Sequence, residues 1–567
     1  MTRILRAALA LALLAAAAPA KRVTVTVLAT TDLHGNLYPV DYFTGKPADR
    51  GLAKIATLVR AARRDAPGAL LIDCGDTIQG TPIETVYQTY VSTGRLPLHL
   101  TFHGRALRQD PMMAAMNELG YTALVLGNHD FNFGLRNLDH ARRDAHFPWL
   151  SANTAAETGM VRPFDPYVIR TVEGVKVAII GLTTPAIPQW EERAHYQGYR
   201  FLDAREEAQS TVATLRRTEH PDLVIAAVHA GLGRLERHHP PSATPPENMV
   251  LDIATEVRGL DAIVFGHSHQ QLAGDRVGDV LLVQPKNWGG SLARLDFTLD
   301  DSSGHWRVVD KVSRLIPVKP ETVADPAILA VARPYHELAE RFLNTPVAES
   351  AVDMDGHIAR FEDTPLVDAI ENVQLAYTGA DVSFTALFYP GVTIRKGPVT
   401  VRQIAALYVY DNELYTIQGD GRMVKDALEN SARFFRTCPN PACSHGPLMG
   451  PEAVGFNYDM AEGVDYDIDL SRPEGQRVTN LRWHGRPLDP NQKLRIAVNN
   501  YRAGGSGGYG MFRNAPVLWK SNTDIRTLII EYYSKHHRLP TRASGNWRIV
   551  PAAAVKVLER EQTRAVQ

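Results

Sequence analysis

An α/β fold arranged as two domains is what this chain predicts, on three observations. Short apolar runs alternate with helically spaced stretches from residue 21 to about residue 317, the rhythm of layered α/β structure. Five of these runs end in Asp, His or Asn, which puts polar groups where strands give way to loops. The chain is 567 residues long, too many for one hydrophobic core, so a second domain should follow.

The elements follow in order. Arg3 and Arg6 precede an Ala/Leu run over 7–18, and Ala18-Pro19-Ala20 offers a small-x-small cleavage site. The run is short for a bilayer span, which predicts a signal peptide over 1–20 and a periplasmic or secreted mature protein. Strands are predicted over 23–29, 69–72, 123–126, 175–180, 223–228, 262–265 and 280–283, all rich in Val, Ile, Leu and Ala. Helical spacing occupies 51–63 and 111–119. These make a catalytic domain over 21–318, and a helix over 325–343 within a connector of 319–346 leads out of it. The second domain, 347–553, should hold helices over 364–377, 400–407 and 421–434 and strands over 381–385, 414–418, 466–469 and 494–498. Residues 554–567 read as a charged, frayed tail.

Bulk composition narrows the partners. A net charge of −1 gives no basic face of the size duplex nucleic acid favours, and no later run is apolar enough to span a membrane. A small anionic substrate on a monomer remains compatible, with bound cations supplying the positive charge. Three cysteines fit an exported protein that is not disulfide-dense. Cys74 lies at a strand end and reads as a buried free thiol. Cys438 and Cys443 are close enough to close a small loop, as a disulfide or as two thiols.

The five strand ends carry the chemistry. They are Asp32-Leu33-His34, Gly75-Asp76, Gly127-Asn128-His129-Asp130, His229 and Gly266-His267-Ser268-His269. Asp32 and His34, two apart, can chelate one ion, and Asp76 can give one oxygen to each of two. Asn128 offers a neutral amide oxygen, and His229, His267 and His269 offer imidazole nitrogen. This mixed set suits zinc, manganese, iron or cobalt better than calcium. Two such ions can acidify a bridging water and neutralise a phosphoryl group, which predicts hydrolysis of a phosphoric ester. Taken singly, each segment also has a structural reading as a turn or a capped helix start. All five in order behind strands point to a metal centre.

The order and wording of these segments resemble the calcineurin-like metallophosphoesterases. Ala29-Thr30-Thr31-Asp32-Leu33-His34-Gly35-Asn36-Leu37 and Gly127-Asn128-His129-Asp130-Phe131-Asn132-Phe133-Gly134 are similar to the secreted nucleotidases among them. The resemblance implies a four-layer α-β-β-α sandwich followed by an α/β nucleotidase C-terminal domain. It implies one metal on Asp32, His34, Asp76 and His269, and another on Asp76, Asn128, His229 and His267. His129 is then no ligand but the group that meets the phosphoryl oxygen or leaving group. In the 5′-nucleotidase branch an Asp stands where this chain has Asn132, and the phosphate loop of that branch is replaced here by Ser383-Phe384-Thr385-Ala386-Leu387-Phe388. Both departures resemble the sister branch, the 2′,3′-cyclic-nucleotide 2′-phosphodiesterase/3′-nucleotidases, as does Asn499-Asn500-Tyr501-Arg502-Ala503-Gly504-Gly505.

In that family two aromatic rings of the C-terminal domain sandwich the base, and the matching residues are Phe456 and Tyr501. Arg395 and Arg502 are candidates to meet phosphate or ribose. Gly504-Gly505-Ser506-Gly507-Gly508 lacks the Lys-Ser/Thr of a P-loop and reads as a loop needing close backbone approach. Three other activities share parts of this pattern: a 5′-nucleotidase or nucleotide-sugar hydrolase, a thiosulfate-ester hydrolase, and a non-catalytic nucleotide-binding surface protein.

Overall fold

A computed structural model describes residues 21–101, 107–159, 161–191, 193–233, 247–410, 412–438, 440, 442–444, 447–450 and 455–566. The expected signal segment lies outside these residues. The fold divides into two units, one comprising the chain to Asp41 with Lys46–Ala339, the other Tyr42–Gly45 with Glu340 onward.

The first unit is built on two six-stranded sheets. Its strands are β1 (Arg22–Thr30), β2 (Leu70–Asp73), β3 (Ala123–Val125), β4 (Trp149–Leu150), β5 (Tyr167–Val172), β6 (Val175–Thr183), β7 (Leu223–His229), β8 (Ala262–Phe265), β9 (Leu272–Val277), β10 (Val280–Gln284), β11 (Ser291–Asp300) and β12 (Arg307–Pro317). One sheet runs β12-β11-β1-β2-β3-β4 and the other β9-β10-β8-β7-β6-β5. β1 to β4 are mutually parallel, and so are β6, β7, β8 and β10.

Alternation explains the layering. Val25, Val27 and Ala29 of β1 pack in one core with Ile225 and Ala227 of β7 and Val264 of β8. The intervening Val224, Ala226 and Val228 turn the other way, onto Ala204–Thr218 and Val250–Glu256. A strand covered on both faces has no place for polar residues, hence the unbroken apolar runs. β11 and β12 escape the sequence reading because neither is buried on both faces. β11 alternates buried and half-buried positions along Leu295–Asp300, and β12 is nowhere buried. The helices Pro82–Thr93 and Ala204–Thr218 are likewise additional to those expected.

In the second unit, a five-stranded sheet orders Asp459–Glu462, Val382–Ala386, Lys493–Asn499, Glu413–Asp420 and Val517–Asp524. A four-stranded sheet orders Arg486–Pro487, Val478–Trp483, Asp465–Asp469 and Trp547–Val550. The helices Pro365–Thr378, Val401–Ala405 and Gly421–Ala432 occupy the expected stretches. The expected tail is a correction: helix Ala552–Val566 buries Ala554 and Leu558, and Glu561 accepts from the backbone N–H groups of Leu448 and Met449. Cys438 and Cys443 form a disulfide, and Cys74 is a buried free thiol. Among the described residues no helix is long and apolar enough to cross a membrane.

Candidate metal centre

Parallel strands point their carboxyl ends the same way, and ligand sites of open α/β sheets gather beyond those ends. β1, β2 and β3 deliver Asp32, His34, Asp76 and Asn128 from one sheet, while β7 and β8 deliver His229, His267 and His269 from the other. Backbone bonds tie the turns together. Asp32 N–H donates to Gly75 O and His34 N–H to Asp76 O, at 2.9 and 2.8 Å. His267 N–H reaches Asp32 Oδ2 across the two sheets at 3.0 Å.

Turning so many side chains inward strains the backbone. Asp32, His34, Asp76, His267 and His269 all adopt positive φ, between 46° and 71°, a region that non-glycine residues rarely enter. The glycines beside them are there for space. A Cβ on Gly127 would run into Asp76 Oδ1, and one on Gly266 would overlap Thr31 Oγ1 and Asp32 Oδ2.

The donors fall into two groups, Asp32 with His34 and His269, and Asp76 with His229 and His267. His34 Nδ1 faces Gln79 Oε1 at 3.2 Å, so it holds the proton and turns Nε2 inward. That Nε2 lies 3.1 Å from His269 Nε2, which itself is 3.5 Å from Asp32 Oδ1. His229 Nδ1 donates to Cys74 O at 2.7 Å, which leaves Nε2 3.0 Å from Asn128 Oδ1 and 3.1 Å from Asp76 Oδ2. Asp76 Oδ2 is also 3.7 Å from His34 Nε2, so one carboxylate serves both groups. Lone pairs converging from opposed donors are what divalent cations require, and hydrogen bonds from the far ring nitrogens fix the ligand tautomers. The residues therefore fit a pair of divalent cations.

The charge balance of the ligand cluster favours bound cations. Burial raises the carboxyl of Asp32, yet the bond from His269 and the charges of His229 and His269 bring it down to about 2. Burial likewise acts on Asp76, but His229, His129 and His34 hold it well below the usual carboxylate range. Burial lowers His34 to about 4, against the opposing pull of Asp76. His229 goes the other way: burial lowers it, but the charge and bond of Asp76 lift it to about 10. A cation taking the place of that proton would release it.

His129 stands apart from both groups. Its backbone N–H donates to Asp76 Oδ1 at 2.8 Å, and its ring centroid is 5.3 Å from that of His34. In the second unit, Phe456 sits on the turn Gly455–Asn457 and Tyr501 on Asn500–Ala503, both exposed, at 37% and 44%.

Two family models match. Residues 25–271 match the calcineurin-like phosphoesterases, and residues 346–514 match the 5′-nucleotidase C-terminal domain. The chain is a calcineurin-like phosphoesterase with a 5′-nucleotidase C-terminal domain. It is 29% identical to the 2′,3′-cyclic-nucleotide 2′-phosphodiesterase/3′-nucleotidase of Yersinia enterocolitica, over 95% of this chain and 90% of that one. It is 28% identical to the trifunctional nucleotide phosphoesterase protein YfkN of Bacillus subtilis, of which it spans 40% of the length while 95% of this chain is covered. A solved structure from Staphylococcus aureus, described as a 5′-nucleotidase candidate in complex with alpha-ketoglutarate, is 27% identical with a TM-score of 0.70, covering 93% of this chain and 100% of that one. The chain is accordingly a phosphoester hydrolase of the nucleotidase kind.

Within this phosphoesterase the seven ligand candidates come together, and His129 lies beside them. Arg395 is exposed and pairs with Asp353 at 3.3 Å. Arg502 has a different place from the one expected of a phosphate contact. It is 1% exposed and forms a buried pair with Asp459, at 2.7 and 2.8 Å, that consumes its fork. It also donates to Phe456 O and lies under the Tyr501 ring at 5.3 Å, so it braces the two aromatic turns. Gly507 gives Asn457 and Arg502 room that a Cβ would occupy.

Sequence reasoning missed the supports behind the ligands. Asp130 accepts from the N–H groups of Thr77, Ile78 and Gly127, stitching two ligand turns together. Asp73 accepts from Thr30, Gly75 and Thr77, while burial lifts its carboxyl to about 7. Glu247 meets His267 Nε2 at 2.8 Å. Asp130 stands in a quoted motif and Asp73 three residues before Asp76, so a carboxylate near a ligand was a usable signal. Glu247 had none.

Proposed function

We propose that this chain is an exported dinuclear-metal phosphohydrolase that opens 2′,3′-cyclic nucleotides to 3′-nucleotides and then releases phosphate to leave nucleosides. The observation that carries the reading is the double use of Asp76, whose Oδ2 faces His229 Nε2 at 3.1 Å and His34 Nε2 at 3.7 Å. When bound, two divalent cations such as zinc, manganese, cobalt or iron supply Lewis-acid charge and lower the pKa of a water. Asp32, His34, Asp76 and His269 are assigned to one cation, and Asp76, Asn128, His229 and His267 to the other. His129 stabilises the charge that develops on the phosphoryl or leaving oxygen. Phe456 and Tyr501 stack on the base, and Arg395 is free to swing from Asp353 towards a ribose or phosphate. The choice of substrate branch is supported by Asn132 and by the likeness to the Yersinia enzyme.

Rates on 2′,3′-cyclic AMP, 3′-AMP, 5′-AMP and UDP-glucose test the proposal. The first two should be turned over fastest. A preference for 5′-AMP or UDP-glucose would move the enzyme to the 5′-nucleotidase branch, and indifference to all four would favour a thiosulfate ester. Asp76→Asn should abolish activity together with metal occupancy. His129→Ala should keep the metals while turnover falls by about 10²- to 10⁴-fold. Loss of metal from that variant would contradict its role. Phe456→Ala and Tyr501→Ala should each raise KM by roughly 10-fold or more at unchanged metal content, since a stacked base contributes about 1–3 kcal/mol.

A further inference from the structure

His129 is held from behind by side chains that the metal geometry does not explain. Its Nδ1 stands 2.7 Å from Asn132 Oδ1, and Asn132 Nδ2 donates to Glu191 Oε2 at 2.6 Å. Glu191 Oε1 in turn meets His195 Nδ1 at 2.8 Å. Glu191 is 6% exposed and caps the short helix Ile187–Trp190 that follows β6, its N–H bonded to Ile187 O at 2.9 Å. It therefore reaches His129 from an element that carries no metal-ligand candidate.

The order of donors and acceptors fixes the rest. A primary amide can present either end to an imidazole, and nothing in Asn132 alone decides which. A carboxylate only accepts. Glu191 thus draws Nδ2 of Asn132 to itself and turns Oδ1 onto His129. An oxygen at that place also only accepts, so His129 Nδ1 must hold a proton, and proton exchange on the ring is confined to Nε2. A single carboxylate at the place of Asn132 could do this alone. Here an amide and a buried carboxylate divide the task.

We propose that Glu191 is a positioning residue for His129, acting through Asn132 to set the amide's orientation and the imidazole's tautomer. The inference rests on the reading of His129 as the group that meets the ester. It predicts an exchange of partners. In Glu191→Gln the new amide can offer Asn132 either end, and the orientation is no longer imposed. In Asn132→Asp the introduced carboxylate would face Glu191 across the present 2.6 Å gap, where like charges repel. Combining the two changes again gives one carboxylate and one amide, now with the carboxylate beside His129 and the amide behind it.

The test uses the full metal-loaded chain with bis(p-nitrophenyl) phosphate, and metal content is measured for every variant. Each single variant should lose about 10- to 100-fold in kcat, a part of what a general acid or base contributes, with KM and metal content unchanged. The double variant should return to within about 5-fold of the parent, a coupling that independent sites would not show. Long-range ¹⁵N NMR of histidine-labelled protein, with His129 assigned by its loss in His129→Ala, should show the Nδ1–H tautomer in the parent and the double variant and a mixture in Glu191→Gln. Parent-like kcat and tautomer in Glu191→Gln would overturn the inference, as would a double variant whose loss is the product of the singles. If the parent itself released no nitrophenol in a metal-dependent way, the proposed function would fail, and the tautomer spectrum would still judge the role of Glu191.

Discussion

At the scale of single residues, the site is limited by space as much as by ligand chemistry. Gly127 precedes Asn128, and a Cβ there would meet the Asp76 carboxylate and backbone N. Gly127→Ala should therefore push Asp76 out of line and weaken metal binding by about 10- to 100-fold, the usual cost of disturbing the support around ligands. Metal titration of the purified variant checks this, and parent-like affinity would show that the turn yields. The ligand candidates were legible because each ends a strand, so local sequence declared its position. Glu191 was not, because its partner Asn132 lies 59 residues earlier and the two meet only after folding. Arg502 misled for the same reason: an arginine next to an exposed tyrosine gave no hint of Asp459, 43 residues away.

At the scale of elements, the helix Pro365–Thr378 shows how a cluster of acids becomes a pH response. It opens with Pro at N1 after Thr364 and closes on Gly379 with φ 57°. Asp368 in its first turn accepts from Ser544 N–H at 2.7 Å. Burial, then the nearby charges of Asp363 and Glu462, raise its carboxyl to about 7. The folded carboxyl thus holds its proton where the unfolded one has lost it. Its stabilising contribution is complete below about pH 4 and disappears as pH rises through about 7. Melting temperature should fall over that window, and Asp368→Asn should flatten the fall while preserving fold and metal content. A variant with the same slope as the parent would assign the response to another acid. Elements were legible in proportion to their burial. β7, covered on both faces, stood out as an apolar run, whereas β12, with no buried position, hid among polar residues. The helix Ala552–Val566 was hidden by its exposed, charged face, although Ala554 and Leu558 are buried and Glu561 accepts from Leu448 and Met449.

At the scale of the whole molecule, the division into two domains was legible from length and from the change in pattern near residue 347. The boundary falls between Ala339 and Glu340, inside the helix Pro326–Leu343 and within the expected connector of 319–346. Tyr42–Gly45 also belongs to the second unit, which no local pattern could reveal. This division makes a thermodynamic prediction. Every metal-ligand candidate, from Asp32 to His269, lies in the first unit, and each unit has its own sheets. A ligand stabilises only what it binds, by about 4 kcal/mol when its free concentration is a thousand times Kd. For a unit of this size that corresponds to a shift on the order of 10 °C. Calorimetry of the full chain should therefore show two transitions. Chelation should lower one of them and leave the other in place, and Asp76→Asn should reproduce the chelated trace without added chelator. Phe456→Ala should leave the metal-dependent transition unmoved. A single transition that shifts as a whole would mean that the two units unfold as one cooperative body, and the ligand set could then no longer be assigned to the stability of the first unit alone.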